Sequence, residues 1–228
     1  MRKPSVKRIR WCFAGLLSLL GVSAALAWSS MDFFGVQPVH QIAIENVLSN
    51  QVPANLIVIL QNEQAYVDTF QDATDSFKHS MTGLTFVGEP VTNVESQYIS
   101  NAEQFVHAQL NAAIAARKAG NIELAYTNLG IALHPLEDAT SPAHKPFQPW
   151  LGSKEGFYET MAHVEQEWSY PDDTNDPVQV EQRAELEGSV QYAYDIFIGS
   201  NSMPINFYNH TNGLLILPAA YLRKDVIK

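Results

Sequence analysis

The chain holds one cysteine, Cys12, in 228 residues. A disulfide scaffold is therefore excluded, and so is a structural zinc site built on thiolates. Positive charge is also scarce: 14 Lys and Arg stand against 24 Asp and Glu, a formal net charge of −10. Such a balance leaves no footprint for a phosphate backbone, so non-specific nucleic-acid binding is disfavoured. Few segments alternate polar and apolar residues with period two, which argues against a fold built on sheets. Internal repeats, low-complexity tracts and linker-like stretches are absent, so nothing divides the chain into separate domains.

The first 27 residues read as a secretory signal peptide. Arg2, Lys3, Lys7, Arg8 and Arg10 form a basic start, and Trp11 to Leu20 form an apolar run. Small residues then lead to Ala25-Leu26-Ala27, an A-x-A cleavage site. Cleavage there gives a mature domain of residues 28–228, secreted or periplasmic, that begins at Trp28. The competing reading is an uncleaved anchor, because Trp11 to Ala27 approaches the lower length limit of a spanning helix. Cys12 leaves with the signal, and so do five of the basic residues. Nine Lys and Arg then face 24 Asp and Glu, a formal charge of −15. A solvated acidic surface accounts for most of that excess, and it also suits multivalent cations.

About 200 mature residues suffice for one domain with a full core. The expected fold class is all-α, a single multi-helix domain. Val36, Val39, Ile42, Ala43, Val47 and Leu48 recur at helical spacing. Pro53 opens a second stretch, from Ala54 to about His79. A third runs from about Val91 to Lys118 and stops at Gly120. Asn121 caps the next, which carries Leu124, Leu129, Ile131, Leu133 and Leu136 and fails before Pro142. Further helices are expected around Lys154–Trp168 and Pro177–Ile198. The tail, Ile205–Val226, is expected to pack back on the bundle.

Two pairs at helical spacing stand out: His134 with Asp138, and His163 with Glu167, with His144 between them. Residues four apart share a helix face, so each pair aims two donors at one point. Imidazole and carboxylate are donors that Zn²⁺ accepts at about 2.0–2.2 Å. Taken singly, each pair is more simply a helix-surface contact worth a few tenths of a kcal/mol. His134, however, sits among Ile131, Ala132, Leu133 and Leu136, where an unpaired imidazole is costly. Asp68, Asp72, Asp75 and His79 fall at offsets of 0, 4, 7 and 11, one stripe if the helix persists. Three like charges in a row repel, and a bound cation relieves that repulsion. His40 follows Trp28 by twelve residues, and a free amino terminus on Trp28 can chelate through its amine and carbonyl.

The ordered set is a mature amino-terminal Trp, a His a dozen residues on, an Asp…His pair, H-x3-D-x5-H and finally H-x3-E. It resembles the bacterial zinc-dependent phospholipase C family, related to S1/P1-type nucleases, over Trp28 to Glu167. The resemblance implies an all-helical domain of phospholipase C / P1 nuclease type with up to three Zn²⁺ in a cleft. Trp28, His40 and Asp138 would surround one ion. Asp68, His79, His134 and Asp138 would hold a second, with Asp138 bridging the two. His144, His163 and Glu167 would hold the third. Asp68 is also the implied general base. The Asp-to-His interval is shorter than in the family, so Asp72 or Asp75 competes with Asp68 for that place. Met31 and Thr69 replace the family's acidic and Tyr residues, the former tied to choline recognition, which leaves the headgroup open.

The expected activity is that of a secreted zinc-dependent phosphodiesterase, a phospholipase C acting on phospholipid with peripheral contact to a membrane surface. Phe33, Phe34, Phe147 and Trp150 are candidates for contact with the apolar part of a substrate, against ordinary core packing for each. The alternatives are a nuclease or phosphomonoesterase on the same cluster, and a zinc-stabilised binding protein without activity. A monomer is expected. His107 and His210 match no position of the set.

Overall fold

Proline and asparagine set most of the helix starts. In the computed structural model, which describes residues 38–70, 72–84, 90, 95–151 and 170–222, α1 spans Val39–Leu48 and α2 spans Ala54–Val67. Each begins directly after a proline, Pro38 or Pro53, whose fixed φ and missing N–H suit that position. Helix α3 covers Glu95–Lys118 and α4 covers Ile122–Asp138. Between them Gly120 turns the chain at φ +79°, and Asn121 Oδ1 accepts from Leu124 N. Helix α5, Pro177–Ile198, has Asp176 as its cap and ends at Gly199. The described residues are mostly helical, and the only sheet among them is a two-residue parallel pair, β1 (Thr82–Gly83) with β2 (Pro149–Trp150). The class is all-α.

Helix α4 is the centre of the molecule. It packs on α2, α3 and α5, and Ala125, Leu129, Ala132, Leu133 and Leu136 are buried along it. The crossing with α2 is close enough to require glycine. A Cβ on Gly130 would lie 2.8 Å from Glu63 Cβ and 3.0 Å from the Leu60 carbonyl oxygen. One turn beyond that contact, Gln64 meets His134. Of the tail expected to pack back over Ile205–Val226, residues 223–226 lie outside the described residues; Phe207 and Tyr208 are fully buried, and their N–H groups donate to the Glu103 carboxylate at 2.9 and 3.0 Å. Ile205, where the tail begins, is exposed instead.

One expectation is corrected. The helix read from Ala54 to His79 stops at Val67, and a separate 3₁₀ helix covers Ala73–His79. Local side chains compete with the helix for backbone groups there. Thr69 Oγ1 donates to the Tyr66 carbonyl at 2.7 Å, and Asp72 Oδ1 accepts from Thr74 N and Oγ1, both at 2.9 Å. The acidic stripe therefore does not form. Asp75 pairs with Lys78 at 2.8 Å, so of the three aspartates only Asp68 remains for the cluster described below.

Residues 1–27, read from sequence as a signal peptide, lie outside the described residues, as do Trp28, Met31, Phe33, Phe34, His163, Glu167 and the helix expected around 154–168. No described helix is long and apolar enough to cross a membrane.

Candidate metal centre

Three chain segments are pinned to one turn of α4. Ser80, in the left-handed region at φ 51°, donates through Oγ to the Pro135 carbonyl at 2.6 Å. That bond fixes the neighbouring His79 against the turn that carries His134 and Asp138. The close α2–α4 crossing brings Gln64 and, at the C-cap of α2, Asp68. The first turn of α1 brings His40. His40, His134 and Asp138 have no exposed side-chain surface, whereas Asp68 and His79 keep 6%.

Their donor atoms converge. His134 Nε2 lies 3.1 Å from Asp138 Oδ2, 3.0 Å from His79 Nδ1 and 3.4 Å from Asp68 Oδ1. His79 Nδ1 is 3.1 Å from Asp138 Oδ2 and 4.0 Å from Asp68 Oδ1. Four donors around one tetrahedral Zn²⁺ sit about 3.3 Å apart, given bonds of about 2.0–2.1 Å. The observed separations bracket that edge. On the other side of the same carboxylate, His40 Nε2 lies 3.1 Å from Asp138 Oδ1. Asp138 thus offers one oxygen to each of two donor groups, His40–His134–Asp138 and Asp68–His79–His134.

The outer hydrogen bonds fix which nitrogens face inward. His134 Nδ1 donates to Gln64 Oε1 at 2.9 Å, and His79 Nε2 donates to the Phe70 carbonyl at 2.9 Å. In the neutral rings the facing nitrogens, His134 Nε2 and His79 Nδ1, are then lone pairs. Two lone pairs and two carboxylate oxygens cannot satisfy one another. A cation can satisfy all four, so the donor set fits a metal ion. His40 Nδ1 donates to Glu137 Oε2 at 2.8 Å, and His144 Nδ1 donates to the His79 carbonyl. Every one of these imidazoles is oriented by an outer acceptor, as metal-ligating histidines are.

Burial and charge divide the titration of the group. Burial works against charge on His40, but the carboxylates of Glu137 and Asp138 outweigh it and hold the imidazole well above its ordinary value. His134 goes the other way, lowered to about 4, first by burial, with Asp138 opposing and His40 and His79 adding to the fall. Burial alone would raise Asp138, yet His134 and His144 beside it hold its carboxyl well below the usual range. Glu137 is pushed up by burial.

Of the nine ligand candidates, six are described: the donor atoms of His40, Asp68, His79, His134 and Asp138 come together, and His144 borders them. His144 Nδ1 is 3.8 Å from Asp138 Oδ2, while its expected partners His163 and Glu167 fall outside the described residues. His107 and His210 lie elsewhere, on Glu103, at 2.7 and 3.8 Å. Phe147 and Trp150 are buried, Phe147 edge-on to Tyr208 at 5.3 Å, so core packing accounts for both. Gln64 and Glu137, the outer acceptors, were not legible as site residues. Their one signal is position, since both occupy the buried faces of helices that carry ligands.

No protein-family model matches the chain, and neither a curated protein nor a solved structure does.

Proposed function

We propose that this chain is a secreted zinc-dependent phosphoric-ester hydrolase of the phospholipase C / P1 nuclease type, cleaving phospholipid headgroups. The observation that carries the reading is the meeting of His79 Nδ1, His134 Nε2, Asp68 Oδ1 and Asp138 Oδ2 at 3.0 to 4.0 Å. Nitrogen and carboxylate donors without thiolate suit Zn²⁺ in a site that does chemistry. One ion belongs with Asp68, His79, His134 and Asp138, and a second with His40, Asp138 and the Trp28 terminus. His144, His163 and Glu167 are the proposed holders of a third.

Bound there, zinc supplies charge neutralisation at the phosphoryl oxygens and lowers the pKa of an attacking water toward 7 from about 15.7. The protein residues do the rest. Asp138 fixes the spacing of two donor groups through its two oxygens. Asp68, on the side of the cluster that keeps some exposure, orients the attacking water and accepts its proton. His40 and His134 turn Nε2 inward because each Nδ1 donates outward, and His79 turns Nδ1 inward because its Nε2 donates to the Phe70 carbonyl.

The test is hydrolysis of phosphatidyl vesicles by chelated protein before and after zinc addition. Single-stranded nucleic acid and nucleoside 3′-phosphates are run beside the vesicles. Zinc-dependent release of headgroup is expected. Turnover confined to the nucleic-acid substrates moves the reading to the nuclease branch, and zinc binding without any turnover supports a binding protein.

A further inference from the structure

Glu137 is fully buried and stands beside Asp138 in α4, and both its oxygens accept hydrogen bonds. Oε2 accepts from His40 Nδ1 at 2.8 Å, and Oε1 accepts from Gln64 Nε2 at 2.6 Å. Gln64 Oε1 in turn accepts from His134 Nδ1 at 2.9 Å. A buried chain thus runs His40–Glu137–Gln64–His134, joining an imidazole of each donor group.

The chain has one polarity. A carboxylate only accepts, so Gln64 must turn its NH₂ toward Glu137 and its oxygen toward His134. In the neutral ring, each imidazole then carries its proton on Nδ1 and presents Nε2 as a lone pair. We propose that Glu137 and Gln64 are positioning residues, a pair that sets the tautomers of His40 and His134 so that both cation positions stay open to ligation. The inference rests on the metal reading above and adds an outer layer shared by two positions.

Glu137→Gln makes the logic testable, because it keeps shape but replaces one acceptor by a donor. If the new NH₂ faces His40, Nδ1 of that ring must accept, and the proton moves to His40 Nε2. If it faces Gln64 instead, the Gln64 amide must turn over and donate to His134 Nδ1. The proton then moves to His134 Nε2. Either way one inward nitrogen is blocked. Adding Gln64→Glu repairs the chain: the new amide oxygen accepts from His40, and its NH₂ donates to the introduced carboxylate. The other oxygen of that carboxylate accepts from His134. Volume and net charge equal those of the original pair.

The experiment is a zinc titration of the purified full chain against a chromophoric chelator, for wild type, Glu137→Gln and Glu137→Gln/Gln64→Glu. Long-range ¹H–¹⁵N spectra of the histidine rings accompany it, and far-UV circular dichroism checks the fold. The single variant is expected to weaken one zinc position by about 10–100-fold and to show one ring protonated on Nε2. The double variant is expected to recover both positions. A merely structural carboxylate would not be rescued by moving the charge to residue 64. Full zinc binding by the single variant overturns the inference, and so does a double variant no better than the single. Should Glu137→Gln fail to fold, the double variant decides alone: two filled positions support the pair, and a lost one overturns it. Wild-type protein that binds no zinc overturns the metal reading itself.

Discussion

His134 Nε2 and His79 Nδ1 face each other at 3.0 Å, and in the neutral rings neither carries a hydrogen to give the other. Asp138 Oδ2 stands 3.1 Å from both. Like acceptors held this close are costly unless a proton or a metal ion lies between them. The outer bonds to Gln64 and the Phe70 carbonyl turn the proton of each neutral ring outward, and a divalent cation would meet all three acceptors.

Zinc should therefore stabilise the fold. Ligand at 100 times its Kd adds about 2.7 kcal/mol, or roughly 5–10 °C in Tm for a domain of this size. Calorimetry with and without chelator measures the shift. His134→Ala is expected to abolish it, because His134 belongs to both donor groups, and so is Asp138→Asn, because Oδ1 of Asp138 faces His40 while Oδ2 faces His79 and His134.

The aspartates should separate cleanly. Asp68→Asn is expected to lower bound zinc by one equivalent. Asp75→Asn removes only a partly exposed pair with Lys78, so stability changes within about 1 kcal/mol and zinc content stays put. Metal analysis of the two variants is the check; zinc lost from the Asp75 variant alone would reverse the assignment.

That contrast marks where the sequence stops being legible. The starts of α4 and α5 follow from Asn121 and Pro177, whose local chemistry admits few alternatives. The H-x3-D spacing at His134 and Asp138 gives a shared face for the same reason. The end of α2 was not readable, because offsets of 4, 7 and 11 from Asp68 imitate a helical stripe. What breaks the helix is a competition: Thr69 and Asp72 offer their side chains to nearby backbone, and no periodicity reports it. Gln64 and Glu137 were missed for another reason. An outer acceptor needs only a buried face and the right reach, so it leaves no spacing to find.

After chelation, the pH behaviour of the two buried rings should diverge. His134 stays neutral until about pH 4, while His40 keeps its proton well above the ordinary imidazole value. Because the His134 value falls below the unfolded one, the unfolded chain binds more protons in between. Its contribution to stability is lost as pH drops from about 6.5 toward 4. For His40 the sign reverses: its contribution is complete below about 6.5 and is lost as pH rises through the elevated value. Histidine ring resonances followed by NMR test both. Zinc should remove the two titrations together, since ligation replaces the proton.

Gly130→Ala should act on the site from a distance. The added methyl meets Glu63 Cβ at 2.8 Å and the Leu60 carbonyl at 3.0 Å, neither of which can swing away. A cost of about 1–3 kcal/mol is expected as α2 and α4 part. Gln64 and Asp68 move with α2, so zinc affinity should fall in the same variant. Unchanged affinity at lower Tm would mean that the crossing does not set the site.

The central claim is that these imidazoles and carboxylates hold a divalent ion. Anomalous diffraction at the zinc edge, from crystals of the protein grown with zinc, tests it most directly. A peak about 2.0–2.2 Å from His79 Nδ1, His134 Nε2, Asp68 Oδ1 and Asp138 Oδ2 is the predicted result. Zinc bound only at other residues, with this cluster closed on itself, would contradict it.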